Sequence, residues 1–414
     1  MKIFFRRIHL WLSLAAGAVI LVCCLTGALL VFQKELEQAF YHSRYFVSAG
    51  NQKPGPDELV KAVKNNNAAA KINGIKIYTD PERSAEINIS IAEKKANESF
   101  SAPQEKNNKT DNTAKAKEPA GKPESRPPSF TVFINPYTAE ILETYNSREG
   151  FFYQVMSLHR WLLASPDGIG KTITGVSTLI FLFILITGII LWWPKTKNIL
   201  LQRLKIKKNA GWKRFNHDLH IVLGFYSAII LFIFSFTALA WSFEWFNEGI
   251  YKVTNSPLQP PPPPASVYVA DAKRITYNEA LQAAQTVLKD AQYYNIAKPK
   301  DSLATIAVTA LSKNPVHESA SDVVYIDQYS GKPIGTMLFS ERSTGSQVRS
   351  TFRPVHTGSI YGTPSKIVAF LVCLFGASFP VTGVIMWINR LKKKRKKAMG
   401  KTISQPVMED VLQS

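Results

Sequence analysis

Four long apolar stretches constrain the fold of this chain more than any other feature of its sequence. They are Leu10–Phe32, Ile169–Trp193, His220–Phe243 and Lys366–Ile388. Each holds about 20 or more mostly apolar residues, the length that an α-helix needs to cross about 30 Å of hydrocarbon. The sequence therefore predicts an α-helical integral membrane protein with four transmembrane helices. The first stretch is too long for a signal-peptide core, so we expect it to be an uncleaved anchor.

The basic residues are concentrated in segments that flank these stretches. Residues 1–7, 194–216 and 390–414 hold three, eight and eight Lys or Arg residues, in a chain of net charge +20. Positive charge next to a span is typical of the cytoplasmic side, so both termini are predicted to be cytoplasmic. Because every basic cluster adjoins a span, anionic lipid as a partner is enough to account for the positive charge, and the charge does not indicate nucleic-acid binding.

The segments between the spans define the predicted domain organisation. In chain order this is a first transmembrane helix (1–32), a periplasmic domain (33–158), a second transmembrane helix (159–193), a basic loop (194–216), a third transmembrane helix (217–243), a second periplasmic domain (244–355), a fourth transmembrane helix (356–389) and a basic tail (390–414). Residues 93–128 are rich in Lys, Asn, Pro and Glu, which predicts a disordered insertion. Apolar alternation predicts strands at Lys71–Thr79, Ala85–Ile91, Ser302–Ala310 and Val323–Ile326, and helices at 57–67 and Thr276–Lys289.

The second half of the chain repeats the first. The segment Phe133–Ala139 resembles Tyr325–Gly331, and both are predicted to be a strand that runs into a turn. His9 precedes Thr26 by 17 residues, and His220 precedes Thr237 by 17 residues. The sequence therefore predicts two pseudo-symmetric halves, each with a span, an outer domain and a second span.

Histidines occupy matching places in this repeat. His9 and His220 lie at the predicted cytoplasmic ends of spans one and three, and His159 and His356 near the outer ends of spans two and four. His217 lies one helical turn from His220 and is a rival ligand or a hydrogen-bond donor. Plain interfacial placement is the alternative interpretation of these histidines. His42 and His317 lie in outer loops and are expected to be surface residues.

Three kinds of chemistry fit paired histidines inside a membrane. A zinc or copper site needs further ligands, and Asp218 is the only carboxylate beside these histidines. A proton path needs carboxylates inside the bilayer, and the spans have almost none. Haem b takes two imidazoles from facing helices, which makes two haems the best of the three. Arg6, Arg7 and Arg214 are candidates to neutralise haem propionates, or they are simple interfacial anchors.

Several motifs resemble one known family. Leu158-His159-Arg160-Trp161, His217-x-x-His220, Arg353-Pro-Val-His356-Thr-Gly and the Thr-Gly-x-x-x-Trp span ends at Thr187 and Thr382 are similar to motifs of the PepSY-associated transmembrane proteins. The resemblance implies a bacterial inner-membrane protein with two small α+β PepSY-like periplasmic domains. It implies two haems b, held by His9, His220, His159 and His356, with His217 as the alternative inner ligand.

The resemblance also implies a function. Similar proteins move electrons from the cytoplasm to the periplasm and reduce ferric siderophores, which releases Fe(II). Some relatives carry a flavin reductase domain. None is recognisable here, so the donor is expected to be a separate cytoplasmic reductase or a quinol. Two alternatives remain: a haem-free, membrane-tethered PepSY regulatory module, for example one that modulates peptidases, and a permease.

Overall fold

The structure is a computed structural model that describes residues 2–91 and 128–404, with side chains as far as Arg395. The predicted disordered insertion lies outside the described residues, except for residue 128. The helices are α1 (Lys2–Val31), α2 (Gln33–Phe40), α3 (His42–Tyr45), α4 (Pro56–Asn66), α5 (Phe151–Trp161), α6 (Ile169–Trp192), α7 (Lys197–Arg203), α8 (Trp212–Ser242), α9 (Glu244–Val253), α10 (Tyr277–Val287), α11 (Thr344–His356) and α12 (Thr363–Ser404). The strands are β1 (Lys71–Tyr78), β2 (Ala85–Ser90), β3 (Ser129–Ile134), β4 (Ile141–Tyr145), β5 (Ala291–Ala297), β6 (Ile306–Ser312), β7 (Ser321–Ile326) and β8 (Pro333–Met337).

Helices α1, α6, α8 and α12 form a four-helix bundle and are each long and apolar enough to cross a membrane. This confirms the prediction of four candidate spans. Helix α1 packs against α6 and α12, and so does α8, which places α1 and α8 diagonally across the bundle. Apolar side chains from all four helices, such as Ile20, Phe181, Leu231 and Val372, form the bundle core.

The two ends of the bundle differ. At one end the Nζ atom of Lys2 donates a hydrogen bond to the carbonyl oxygen of Trp193 at 3.1 Å. We call this the basic end, because the loop that contains α7 and the C-terminal part of α12 lie there. At the other end Lys366 forms an ion pair with Glu35 at 2.7 Å. We call this the sheet end, because the chain leaves the spans there to form the strands.

All eight strands lie in one antiparallel sheet of order β4-β3-β2-β1-β5-β6-β7-β8. Strands β1–β4 come from the first half of the chain and β5–β8 from the second. The halves meet where β1 pairs with β5, with Gly74 opposite Ala297 and Tyr78 opposite Tyr293. This pairing joins the two predicted domains in one sheet. It also satisfies backbone groups that would otherwise form two open edges.

Helices α4 and α10 cover one face of the sheet. Leu59 and Val63 of α4 and Ala280 of α10 pack with strand residues such as Ile87 and Ile296, all of them buried. The two helices also cap each other. The Asp57 carboxylate accepts hydrogen bonds from the backbone N–H groups of Tyr277 and Asn278 at 3.0 and 2.9 Å, and the Asn278 side chain accepts one from the N–H of Asp57. These contacts satisfy helix N-termini and hold the two halves together.

The repeated turns form as predicted. The Asn135 side chain accepts hydrogen bonds from the N–H groups of Tyr137 and Thr138. In the second half the Asp327 carboxylate accepts hydrogen bonds from the N–H groups of Val267, Tyr329 and Ser330. Burial alone would raise the pKa of Asp327, but these hydrogen bonds outweigh it and lower the pKa from 3.8 to about 2.

Replacing Asp327 with alanine should lower the free energy of unfolding by about 3 kcal/mol, because several backbone donors lose a charged acceptor in a buried turn. Since the folded-state pKa is depressed, the carboxylate stabilises the fold at pH values above 3.8 and loses this effect as the pH falls towards 2. Thermal unfolding midpoints of the two proteins should therefore converge over this pH range. Asp327→Asn is the matched control, because Asn135 holds the corresponding turn. Equal midpoints for the alanine and asparagine variants at pH 7 would contradict this account.

Candidate functional site: two histidine pairs in the bundle

The four histidines that the repeat pairs in sequence are also paired in space. The imidazole rings of His9 and His220 have centroids 6.5 Å apart and planes at 84°. The rings of His159 and His356 have centroids 6.3 Å apart and planes at 63°. Each pair joins one residue from each half of the chain.

The inner pair, His9 and His220, lies towards the basic end of the bundle. His9 comes from α1 and His220 from α8, which face each other diagonally. The outer pair, His159 and His356, lies towards the sheet end. These residues lie at the ends of α5 and α11, while the spans that follow begin at Ile169 and Thr363. The outer histidines are therefore held by short helices that pack against α1 and α8.

Each histidine hydrogen-bonds a threonine of a neighbouring helix through its Nδ1 atom. The Nδ1–Oγ1 distances are 3.0 Å for His9–Thr187, 3.0 Å for His159–Thr26, 2.8 Å for His220–Thr382 and 3.2 Å for His356–Thr237. Each bond joins residues of the same half of the chain. Thr26 and Thr237 therefore hydrogen-bond the outer pair. The sequence spacing relates them instead to His9 and His220 of the inner pair.

The threonine hydroxyls also have carbonyl partners of their own. Each threonine hydroxyl donates to a carbonyl oxygen in the preceding turn of its own helix, for example Thr382 to Ser378 at 2.9 Å and Thr187 to Phe183 at 2.8 Å. A hydroxyl oxygen whose proton is used in this way can accept a hydrogen bond from Nδ1–H. In that arrangement Nε2 carries no proton when the ring is neutral. Among the described residues, no hydrogen bond reaches Nε2 of any of the four histidines.

Glycines lie against three of the four imidazole rings. A Cβ atom at Gly188, Gly383 or Gly27 would lie 3.4, 3.5 or 3.3 Å from the Cε1 atom of His9, His220 or His159, respectively. These are the glycines of the Thr-Gly dipeptides. At the fourth position, Ala238 follows Thr237. A Cβ atom would be tight only at Gly27, so the threonine is the feature that all four positions share.

A cavity of about 500 Å³ adjoins the inner pair. This volume falls within the range of about 300–1,000 Å³ for small-molecule and cofactor sites. Apolar residues such as Phe181 and Phe379 line it together with His9 and His220. Four further basic residues also line it: Arg6, Arg203, His217 and Arg390. An apolar cavity with cationic groups suits a largely apolar ligand that carries acidic groups.

The predicted propionate partners differ in their surroundings. Arg6 lines the cavity, whereas Arg214 forms an ion pair with the buried Asp218 at 2.8 Å. His217 lines the cavity with its Nδ1 atom 3.4 Å from a carboxylate oxygen of Asp218. Arg203 and Arg390 also reach the cavity, which the sequence analysis missed. No sequence signal distinguishes these two arginines from their basic neighbours.

Cationic side chains also surround the outer pair. Arg160 directly follows His159 and lies over the Trp161 ring at 5.0 Å. Arg349 lies over the Trp241 ring at 4.8 Å, and that ring is 5.5 Å from His356. Burial lowers the pKa of both guanidinium groups. Within the described parts of the chain, neither arginine forms a salt bridge. The Nε atom of Arg349 donates a hydrogen bond to the side-chain oxygen of Asn247 at 2.7 Å.

Each pair offers two imidazole nitrogens as possible metal ligands. In residues 2–91 and 128–404, no group of three or more His, Cys, Asp or Glu side chains is arranged to hold a metal ion. Imidazoles bound on opposite faces of one metal ion have centroids about 6.4 Å apart, given metal–nitrogen bonds of about 2.0–2.1 Å. Both pairs match this spacing. They fit a metal cofactor whose remaining ligands come from the cofactor itself, such as haem.

The remaining histidines lie elsewhere. His42 is exposed and stacks on Phe46 with centroids 4.7 Å apart. His317 is 4% exposed and packs on Phe339, so the prediction of a surface residue is wrong for His317. A turn buries it: its Nδ1 atom accepts a hydrogen bond from the N–H of Ser319.

Fold and site together define a multi-pass membrane protein with paired histidines inside a four-helix bundle and an antiparallel sheet region attached to one end. A family model, PepSY-associated TM region, matches residues 6–390. The chain therefore belongs to the PepSY-associated TM family, as its motifs predict. No curated protein matches the chain.

Proposed function

We propose that this protein is a di-haem b protein of the bacterial inner membrane that moves electrons from the cytoplasmic side to a periplasmic acceptor. A ferric siderophore, or another periplasmic Fe(III) complex, is the acceptor that we propose. Reduction would release Fe(II) for uptake. The observation that carries this proposal is the presence of two histidine pairs, each at the spacing of two ligands on one metal ion.

The residues of each pair have defined tasks in this proposal. The four histidines would supply the nitrogen ligands, and His217 is the alternative ligand at the inner site. The threonines orient the imidazoles, and Gly27 leaves room for the ring of His159. Arg6 and Arg390 at the inner site, and Arg160 at the outer site, neutralise carboxylates of the bound group. Bound haem supplies reversible one-electron chemistry at a potential that the protein sets.

Two sites are needed because of the distance across the membrane. His9 and Thr26 belong to opposite sites and are 17 residues apart, which is about 25 Å along α1. The hydrocarbon core is about 30 Å thick. One site near each end of the bundle divides this crossing into shorter transfers.

The charge distribution sets the proposed orientation. The basic end carries the Lys/Arg clusters of the loop and tail, which favours a cytoplasmic location. Both termini would then be cytoplasmic, with anionic lipids around the basic end. The sheet would be periplasmic, as two PepSY-like domains related by pseudo-symmetry. A separate reductase or a quinol would deliver electrons at the basic end.

The test uses the full-length protein purified in detergent. We expect a haem b spectrum and two haems per chain. When the protein is reduced with dithionite, freed of excess reductant and mixed anaerobically with a ferric hydroxamate siderophore, its absorbance should return to the oxidised form. Fe(II) should appear in a ferrozine assay at the same rate.

The Ga(III) complex of the same siderophore is the matched control, because Ga(III) has a similar size and charge but is not reduced under these conditions. Reoxidation by the Ga(III) complex would show that the acceptor is not the ferric ion. Absence of a haem spectrum would overturn the proposal and favour the haem-free regulatory module.

A further inference from the structure

The four threonines share one unusual hydrogen-bond arrangement. Each hydroxyl has a single proton, and each lies within hydrogen-bonding distance of a carbonyl oxygen one turn earlier in its own helix: Thr26 to Val22, Thr187 to Phe183, Thr237 to Ile233 and Thr382 to Ser378. A threonine inside an apolar helix can make this bond anywhere. Here the same oxygen also meets a histidine Nδ1 atom, four times out of four.

We infer that these threonines are positioning residues that hold each imidazole in its Nδ1–H tautomer and so present an unprotonated Nε2 to the facing histidine. The inference rests on the proposed haem sites for its effect on cofactor binding. The tautomer itself is a property of the chain without any cofactor. A tautomer with the proton on Nε2 would block the nitrogen that must ligate.

The four sites do not depend on threonine equally. Nδ1 of His356 lies 3.2 Å from the hydroxyl of Thr237 and 2.9 Å from the carbonyl oxygen of Phe234. Nδ1 of His159 is likewise near the hydroxyl of Thr26 and 3.0 Å from the carbonyl oxygen of Cys23. A carbonyl oxygen can only accept, so the outer histidines keep the Nδ1–H tautomer without their threonines.

His220 has no such second acceptor. In the described parts of the chain its Nδ1 atom hydrogen-bonds Thr382 alone, at 2.8 Å. Removing that hydroxyl leaves the ring free to place its proton on either nitrogen and to rotate. Loss of the Thr382 hydroxyl should therefore change the tautomer of His220 more than loss of the Thr237 hydroxyl changes that of His356. Valine has the shape of threonine but no hydroxyl. If the threonines act only through helix packing, valine should therefore have the same effect at both positions, whereas a positioning role predicts a larger effect at Thr382.

The first experiment measures the tautomer in the absence of haem. The full chain is produced with ¹⁵N-labelled histidine in haem-deficient cells, and its imidazole nitrogens are observed by NMR at a pH where the rings are neutral. We expect the wild-type His220 signals to show a protonated Nδ1 and an unprotonated Nε2. Thr382→Val should give a mixture of tautomers at His220. Thr237→Val should leave His356 unchanged, and Thr382→Ser should restore the wild-type pattern.

The second experiment measures retention of the inner haem. Partners that hold the second nitrogen of a metal-bound histidine are worth about 10–100-fold in metal affinity. We expect a loss of this size at the inner site for Thr382→Val. For Thr237→Val at the outer site the loss should be less than about threefold, since the carbonyl acceptor remains, and Thr382→Ser should bind as the wild type does.

The outcomes separate this inference from the proposed function. If the wild type binds no haem, the proposed function fails and the NMR comparison alone decides the tautomer. If the wild type binds two haems but Thr382→Val keeps both the Nδ1–H tautomer and the wild-type affinity, the positioning role is overturned and the proposed function stands. Equal losses for Thr382→Val and Thr237→Val would also overturn it, because packing would then explain both.

Discussion

If the protein binds two haems as proposed, replacing His356 with alanine should remove one of them and leave the other in place. The variant keeps His159 but lacks the second imidazole that would hold the group at the outer site. Loss of a second-sphere partner alone lowers metal affinity about 10–100-fold, so loss of the ligand should lower occupancy of the outer site more than about 100-fold. The haem content per chain, measured as the pyridine haemochrome, should fall from two to one.

The same variant should fail to reduce a ferric siderophore, although dithionite still reduces its remaining haem. This separation of reducibility from transfer is what a two-site path requires. His220→Ala should give the complementary result: the inner haem is lost while the outer haem still reacts with the ferric complex. The two variants thus test which end of the bundle faces the acceptor.

Two other histidines serve as controls. His42→Ala changes an exposed ring outside the bundle and should retain two haems and full transfer. His217→Ala should also retain two haems, because His220 and not His217 is paired with His9 in space. Loss of one haem in His217→Ala but not in His220→Ala would reassign the inner ligand. Retention of two haems by both His356→Ala and His159→Ala would contradict the proposed outer haem site.

Local patterns in the sequence predict the four spans and several elements of the sheet region, but not the separate short helices that carry His159 and His356. The spans are readable because apolar runs of this length have few alternatives in a bilayer environment. Strands β1 and β2 and helix α10 end within a few residues of their predicted bounds. The histidine pairs follow from the repeat, because residues at equivalent positions of the two halves lie next to each other across the interface between the halves.

Long-range contacts explain what the sequence could not predict. Strand β5 was missed because Gln292 and Asn295 interrupt its apolar pattern, yet it lies at the centre of the sheet through pairing with β1, more than 200 residues away. The spacing of 17 residues between His9 and Thr26 recurs in the second half of the chain, but it does not show which histidine Thr26 contacts. Residues this far apart are about 25 Å apart on one helix, so Thr26 meets His159 instead.

Gly170→Ala should destabilise the bundle by about 3 kcal/mol, near the upper end of the range for overpacking. Gly170 lies in the first turn of α6, directly against the end of α5, which carries His159. A Cβ atom there would lie 1.8 Å from the carbonyl oxygen of Trp161 and 2.7 Å from its carbonyl carbon. These are backbone atoms, so no side-chain rotation can relieve the clash.

The chain between the two helices has little freedom to absorb this clash. Leu162 and Leu163, which connect α5 to the turn before α6, both adopt left-handed φ angles of 53° and 63°. Such angles already cost non-glycine residues about 1 kcal/mol or more each. The strain must therefore move α5 away from α6, and His159 moves with it.

The expected result is a lower thermal unfolding midpoint together with selective loss of the outer haem. The inner pair, on α1 and α8, does not contact this turn and should keep its haem. Gly249→Ala is the matched control, because a Cβ atom at Gly249 in α9 meets no heavy atom within 4 Å. That variant should keep both haems and gain up to about 1 kcal/mol from the higher helix propensity of alanine. If Gly170→Ala unfolds at the wild-type temperature with both haems bound, the close packing of α5 on α6 does not position His159.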